Sequence, residues 1–484
     1  MMKENLIGRK AEIKELKRCL DSDRSEFVIL YGRRRIGKTF LVHSFFKGQF
    51  SFSFTGSHKA TKDRQLERFA MSLQEYGNMT AMPHIDNWGH AFDMLKRVLL
   101  KSKRPKGRKK IIFLDEMPWI DRSRSEFVAA LEDFWNGWAA QSGDIMLVAT
   151  GSATSWMVNH LLKNQGGLYN RVTSKIHLRP FTLCECEEYL RSHGCQWDHY
   201  AITQYYMYLG GVPYYLSLLD YGRTLEENIY QFFFCPNARL ENEFHDLYSV
   251  LFANADKYID IVRLLANHRE GMSRNELVTH VSNGGGLSKM LDNLIRCDFV
   301  TRYQQYGRQK RGSIYRLTDF FTIFYLRFVE HAGIKTNPLY WNLMLTRQEV
   351  KVWQGLTFEL VCMTHVEQIK KSLGISGMLT NESAWRSQEE HVVAPGKTKK
   401  AQIDLVIERS DRIIHLCEAK FSKELYSIDK DYELTLREKM AVFREETKTR
   451  KYLLTTMITT YGVKNNIHSG IVEAQITMDD LFKD

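Results

Sequence analysis

Phe27-Val28-Ile29-Leu30-Tyr31-Gly32-Arg33-Arg34-Arg35-Ile36-Gly37-Lys38-Thr39-Phe40 decides the fold of the first part of the chain. Its opening residues form an uninterrupted apolar run, the pattern of a strand buried on both faces of a parallel sheet. Gly32 through Thr39 then meets the phosphate-loop pattern G-x-x-x-x-G-K-[ST] at every fixed position. Glycines at both ends let the backbone turn its N–H groups inward on a triphosphate, and a helix starting near Lys38 adds its positive end. Lys38 is the expected mobile cation for the outer phosphates, and Thr39 the expected hydroxyl ligand of Mg²⁺. The loop Gly32, Arg33, Arg34, Arg35, Ile36, Gly37, Lys38, Thr39 and Phe40 is therefore the expected nucleotide cradle, with ATP and Mg²⁺ as its ligands.

Two more apolar runs extend this reading. Ile111-Ile112-Phe113-Leu114-Asp115-Glu116 follows about 75 residues after the loop. A buried parallel strand of this kind delivers its terminal carboxylates to the crevice where ligands of such sheets bind. Asp115 is expected to hold the Mg²⁺ shell, and Glu116 to orient or deprotonate the attacking water. Ile145-Met146-Leu147-Val148-Ala149-Thr150 ends in Gly151-Ser152, and its tip should lie between the other two. There Thr150 or Ser152 either touches the γ-phosphate or the water, or Ser152 simply caps the next helix. Three such strands alternating with helices give a doubly wound α/β domain over roughly residues 1–180.

The full chain has 484 residues, more than one hydrophobic core serves, so two to four domains are expected. With 44% hydrophobic and 26% charged residues it is neither disordered nor fibrous. A formal charge of +11 favours either polyanionic partners or a generally cationic surface. Lys101 to Lys110 packs seven positive charges into ten residues. It can grip a nucleic-acid backbone, but a solvated loop before a buried strand is the better fit. The eight cysteines show no zinc-ribbon spacing, and the cluster of Cys184, Cys186, Cys195, His193 and His199 fits no zinc module. They read as reduced residues of a cytoplasmic protein. With no signal-peptide pattern and no long uncharged span, no membrane partner is expected.

Beyond residue 180 the pattern turns helical to about residue 250, and this region carries Gly210-Gly211-Val212-Pro213. Residues 256–317 read as three helices followed by two short strands around the basic turn Gly307-Arg308-Gln309-Lys310-Arg311-Gly312. That order suggests a winged helix, whose third helix would enter a DNA groove or whose surfaces would bind protein. After a linker near Gly333–Pro338, residues 338–484 form a last domain. There an amphipathic helix over Trp353–Lys370 carries Glu359, and a hairpin runs from Gln402 through Phe421. Residues two apart on a strand share a face, so Glu418 and Lys420 project together and cross-strand pairing can bring Asp404 beside them. Asp404 and Glu418, with Glu359 as a third carboxylate, are the expected ligands of a divalent cation, and Lys420 would polarise the scissile phosphate. The alternative is a surface hairpin with an ordinary Glu–Lys pair.

Leu6-Ile7-Gly8-Arg9, Tyr31 through Thr39, Leu114-Asp115-Glu116 and Gly211-Val212-Pro213 together resemble the predominantly archaeal ATPase family, in the STAND/AAA+ branch of P-loop NTPases. Members often carry a winged helix and a C-terminal restriction-endonuclease-like domain, whose acidic and lysine positions match Glu359, Asp404, Glu418 and Lys420. The resemblance implies that Ile7, Gly8 and Arg9 lie near the adenine, that Pro213 marks a lid helix sensing the nucleotide, and that Arg171 serves as an arginine finger. This chain departs from many AAA+ proteins in having no asparagine at the third strand tip, which implies slow hydrolysis. The expected architecture is a P-loop ATPase core (1–180), a helical lid (181–250), a winged helix (251–330) and a restriction-endonuclease-like domain (338–484). Two functions fit. One is an ATPase whose cycle controls a DNA-associated, metal-dependent nuclease. The other is an ATP-regulated switch or scaffold that binds DNA or protein, as an oligomer or with a partner, and cuts nothing.

Overall fold

The computed structural model describes residues 6–102, 109–121, 125–152, 154–162, 168, 170–281, 286–307, 313–388, 391–394 and 397–484. The chain divides into two compact units, Met1–Pro180 with Asp292–Asp298, and Phe181–Leu291 with Phe299–Asp484.

In chain order the first unit contains α1 (Lys10–Asp21), β1 (Glu26–Tyr31), α2 (Lys38–Phe46), β2 (Phe52–Thr55), α3 (Lys62–Tyr76) and α4 (Trp88–Lys101). It continues with β3 (Lys110–Asp115), α5 (Met117–Ile120), α6 (Phe127–Gly137), β4 (Ile145–Gly151), α7 (Thr154–Met157) and β5 (Ser174–His177). The five strands form one parallel sheet in the order β2-β3-β4-β1-β5. The tip of β4 thus lies between those of β1 and β3, as expected. The pleat sorts the apolar runs to two faces. Val28, Leu30, Phe113 and Val148 meet Leu16, Leu41 and Val42 on one side. Phe27, Ile29, Leu114 and Leu147 meet Phe69, Trp88, Leu95 and Leu131 on the other.

Of the basic run before β3, residues 103–108 lie outside the described residues. Lys109 is buried, and its ammonium donates to the carbonyls of Cys19 and Arg24 and to Ser22 Oγ at 2.5–2.7 Å. That lysine ties the end of α1 to the sheet, so it is not part of a phosphate-gripping loop.

The second unit begins with α8 (Leu183–Ser192), α9 (His199–Leu209), α10 (Pro213–Ser217), α11 (Leu225–Phe233) and α12 (Glu243–Leu251). Then follow α13 (Ala255–Asn267), β6 (Met272–Ser273), α14 (Arg274–His280), α15 (Leu287–Arg296, whose last five residues group with the first unit), β7 (Val300–Gln304) and β8 (Ser313–Leu317). The three short strands make an antiparallel sheet in the order β6-β8-β7. The basic triplet Arg308, Lys310 and Arg311 lies outside the described residues. After α16 (Phe320–Phe324) and α17 (Tyr340–Met344) come α18 (Gln348–Thr364) and α19 (Val366–Ser372). Next are β9 (Thr380–Arg386), β10 (His391–Ala394), β11 (Lys397–Lys399), β12 (Gln402–Arg409), β13 (Ile413–Lys420), α20 (Lys430–Thr447), β14 (Tyr452–Thr459) and β15 (Ala474–Thr477). Apart from the separate β10–β11 hairpin, these strands form a mixed sheet in the order β15-β14-β13-β12-β9. Pairing is antiparallel on the β9 side of β13 and parallel on the β14 side.

The single helix expected over Trp353–Lys370 is instead two, because His365 interrupts it. This buried histidine donates from Nδ1 to the Val361 carbonyl at 2.8 Å and accepts the Leu183 N–H at Nε2, 3.0 Å away. It thereby satisfies an orphan donor in the first turn of α8. Among the described residues no helix is long and apolar enough to cross a membrane, and none of the eight cysteines is in a disulfide.

Burial lowers the His365 pKa from 6.5 to about 4. The unfolded chain therefore binds the extra proton first, and stability falls as pH drops from about 6.5 towards 4, by up to about 3 kcal/mol. Thermal melts between pH 7 and pH 5 should show a falling Tm, and His365→Gln should flatten that slope; an unchanged slope in the variant contradicts the assignment.

Candidate functional site

Gly32 and Gly37 are required for different reasons. A Cβ on Gly32 would meet the Leu178 carbonyl oxygen at 2.3 Å, whereas Gly37 has open space but a φ of 83°, a left-handed conformation that side chains disfavour. Between them the backbone turns back on the first residues of α2. Lys38 is buried there, and its Nζ donates to the carbonyls of Gly32 (3.0 Å) and Arg33 (2.8 Å) and to Ser152 Oγ (3.0 Å). Burial pulls its pKa down to about 8, against the opposing pull of Glu116 and Asp115. Thr39 Oγ1 donates to both carboxylate oxygens of Asp115 at 3.1 Å, and Thr150 Oγ1 also donates to Asp115. Burial raises the Asp115 pKa, with the neighbouring Glu116 charge adding to the rise. Glu116 has a left-handed φ of 50°. Its carboxylate accepts the Ser152 hydroxyl at 2.5 Å and the Ser152 N–H at 3.0 Å. Its own N–H donates to Thr150 Oγ1 at 3.2 Å. Three strand tips thus bring together Lys38, Thr39, Asp115, Glu116, Thr150 and Ser152. A hydroxyl and a carboxylate side by side are a donor set that fits Mg²⁺, which keeps several waters and is completed by substrate phosphates.

In the second unit, Leu405 lies opposite Cys417 in the β12–β13 ladder, so Asp404 and Glu418 come next to each other one step further along. The Ala419 N–H donates to Asp404 Oδ2 at 3.3 Å. Glu418 is buried, and its carboxylate is engaged by Lys439 Nζ at 2.6 Å and by the Tyr432 hydroxyl at 3.4 Å. Lys420 Nζ stands 4.9 Å from the centre of the Tyr432 ring. Glu359, on α18, and Asp404 both bind protons more tightly than ordinary carboxylates, first because they are buried; the Asp404 charge then adds to the rise at Glu359, and the Glu418 charge to that at Asp404. Hard carboxylate donors that repel one another fit a divalent cation chemically. Among the described residues, however, no three such groups stand close enough to enclose a metal ion. Lys439 and Tyr432 were not anticipated from the sequence, although their i, i+7 spacing places them on one face of α20.

Residues 6–219 match the model of an ATPase domain predominantly from Archaea. The chain carries an archaeal-type ATPase domain. An uncharacterised protein of Methanocaldococcus jannaschii is 22% identical over 417 residues, which span 84% of this chain and 88% of that protein. An uncharacterised ATP-binding protein of the same organism is 40% identical over 43 residues, 9% of this chain and 73% of that protein. Among solved structures, the Walker-type ATPase of Pyrococcus abyssi aligns with a TM-score of 0.50 at 17% identity, covering 67% of this chain and 97% of that one. That likeness supports the P-loop ATPase fold.

Other expected residues of the ATPase domain fall in mixed places. Ile7 is half-buried, and Gly8 and Arg9 are buried. Arg9 has a left-handed φ of 57° and donates to the carbonyls of Arg179 (2.6 Å) and Ile36 (3.2 Å). It therefore braces the phosphate loop from behind, a role the sequence gave no sign of. Arg33 is buried, Arg34 and Arg35 are half-buried, Ile36 is buried, and Phe40 is 42% exposed. Arg171 is an exposed turn residue. Pro213 is the first residue of α10 in the second unit. The glycines before it are structural, since a Cβ on Gly211 would meet the Phe181 carbonyl oxygen at 1.9 Å.

A buried ammonium with a lowered pKa costs stability at neutral pH, so Lys38→Met should leave the ligand-free Tm unchanged or higher. It should also weaken ATP binding by about a hundredfold, roughly two charge-assisted hydrogen bonds. Isothermal titration and a thermal melt check both parts; near-normal ATP affinity contradicts the placement of Lys38.

Proposed function

We propose that the first unit binds and hydrolyses ATP with Mg²⁺, and that its nucleotide cycle governs a DNA-associated, metal-dependent nuclease site in the second unit. The convergence of Lys38, Thr39, Asp115, Glu116 and Ser152 at three strand tips carries the first half of this reading. On binding, Lys38 moves from the carbonyls of Gly32 and Arg33 to the β- and γ-phosphates, and the backbone N–H groups of residues 33–39 cradle them. Thr39 and Asp115 hold Mg²⁺, which supplies charge neutralisation on those phosphates. Glu116 accepts the proton of the attacking water, and Ser152 fixes the direction of its carboxylate until then. Ile7, Gly8 and Arg9 border the adenine, Pro213 belongs to a nucleotide-sensing lid, and an exposed Arg171 suits a finger offered to a neighbouring copy in an oligomer.

For the second half, the domain order is a lid over 181–250, a winged helix over 251–330 and a restriction-endonuclease-like domain over 338–484. Asp404 and Glu418 are its metal ligands with Glu359 nearby, and Lys420 faces the scissile phosphodiester. Mg²⁺ is the expected ion, and the cytoplasm the expected compartment. A second reading, an ATP-regulated switch or scaffold that cuts no strand, is favoured by one observation: Glu418 is already ion-paired to Lys439.

Glu116→Gln should bind ATP normally and lose about 10²–10⁴-fold in turnover, the usual contribution of a general base. Full turnover in this variant, measured by phosphate release, contradicts the role of Glu116. Plasmid incubated with Mg²⁺ or Mn²⁺ should be nicked by the wild type and not by Asp404→Ala; identical products from both favour the scaffold.

A further inference from the structure

The second unit contains a half-open cavity of about 750 Å³, lined by Glu359, Asp404, Glu418 and Lys420 together with Arg269 and Arg316. The wall facing the carboxylates comes from the α13–β6 turn and β8, and it is fastened to the mixed sheet. Arg386 on β9 is ion-paired with Glu270 in that turn. Past the end of β7, Gln305 bridges Ala384, and the Tyr306 N–H donates to the Ala384 carbonyl at 3.0 Å. The Tyr306 ring packs on Phe443 with centroids 5.1 Å apart, and its hydroxyl donates to Glu408 at 3.0 Å. A second cavity, of about 1000 Å³, shares Asn267, Arg269, Arg316 and Leu356 with the first. The two therefore adjoin at these residues.

Carboxylates and cations both line the first cavity, and space and two of the arginines bear on what the adjoining cavities admit. Arg269 is exposed and Arg316 half-buried; neither is within ion-pair distance of a described carboxylate, although the Arg316 charge acts on Glu359 across the cavity. The Arg316 guanidinium touches only the weak acceptor Met363 Sδ, at 3.1 Å, among the hydrogen-bond partners within the described residues. Planar guanidinium groups turned into a cavity match phosphate oxygens. The first cavity is of a size that holds a small molecule or a nucleotide, within roughly 300–1,000 Å³. A B-form duplex, whose major groove alone is about 12 Å wide, does not enter such a space. Glu418, at 3% exposure, lies on its floor, so a phosphodiester reaches it only in a strand separated from its complement.

We infer that the two adjoining cavities form one passage that takes a single unpaired polynucleotide strand, with Arg269 and Arg316 on consecutive phosphates leading to the Asp404–Glu418 site. That the strand is then cut there rests on the nuclease reading above; that it binds does not.

Fluorescence anisotropy on the full chain, in a metal chelator, separates the two. A short labelled oligonucleotide is offered as single-stranded DNA, as RNA of the same sequence and as blunt duplex DNA. Single strands should bind at least about tenfold tighter than duplex, and the DNA and RNA arms identify the sugar. Arg269→Ala with Arg316→Ala should weaken single-strand binding by about tenfold and flatten the salt dependence by roughly 0.7 for each lost phosphate contact. The exposed Arg269→Glu alone should weaken it too, in a protein whose ATP affinity and Tm match the wild type. Duplex binding as tight as single-strand binding, or unchanged single-strand affinity in these variants, overturns the inference. Tight single-strand binding by a protein that cleaves nothing with Mg²⁺ or Mn²⁺ supports the passage and refutes the nuclease.

Discussion

One buried ammonium holds the first unit's chemistry in place. Lys38 reaches two carbonyls of its own loop and the hydroxyl at the tip of β4, and that hydroxyl in turn holds the carboxylate at the tip of β3. A positive charge with so little access to water is costly, and its lowered pKa reports that cost. The interaction that relieves it is with more negative charge than carbonyl dipoles supply, which a polyphosphate provides. The loop conformation, fixed by Gly32 against Leu178 and braced by Arg9 on Ile36, therefore stands ready for such a ligand.

Much of this unit was legible from the chain itself, because long apolar runs and a fixed motif are strong local signals. β1, β3 and β4 could be read directly, and so could the order of their tips. β2 and β5, four residues each, were not seen, since so short a strand shows no period. The part played by Ser152 stood open between capping and site contact, and the hydrogen bonds to Glu116 and Lys38 place it in the cluster. The bracing by Arg9 is not legible in the sequence: its guanidinium meets the carbonyls of Ile36 and Arg179, and nothing in Leu-Ile-Gly-Arg announces those contacts.

The second unit was harder to read for a physical reason. Its functional geometry arises from pairing between distant segments rather than from one run of residues. β9 lies at a sheet edge with mostly polar outward positions, so Thr380–Arg386 shows no apolar run that would mark it as a strand. The break at His365 depends on the N–H of Leu183, far away in sequence. Strand alternation did indicate that Asp404, Glu418 and Lys420 would gather. It could not reveal that Lys439 would pair with Glu418, nor that among the described residues no three carboxylates would close a cage. The two sites differ accordingly: one joins its groups by direct hydrogen bonds, the other holds carboxylates whose mutual repulsion is only partly offset.

A crystal structure of the full chain with a non-hydrolysable ATP analogue and magnesium tests the central claim most directly. The account predicts the triphosphate in the loop, Lys38 Nζ moved from the carbonyls of Gly32 and Arg33 to phosphate oxygens, and Thr39 and Asp115 at the metal. An analogue bound elsewhere, or Lys38 still on those carbonyls with the nucleotide present, would contradict it.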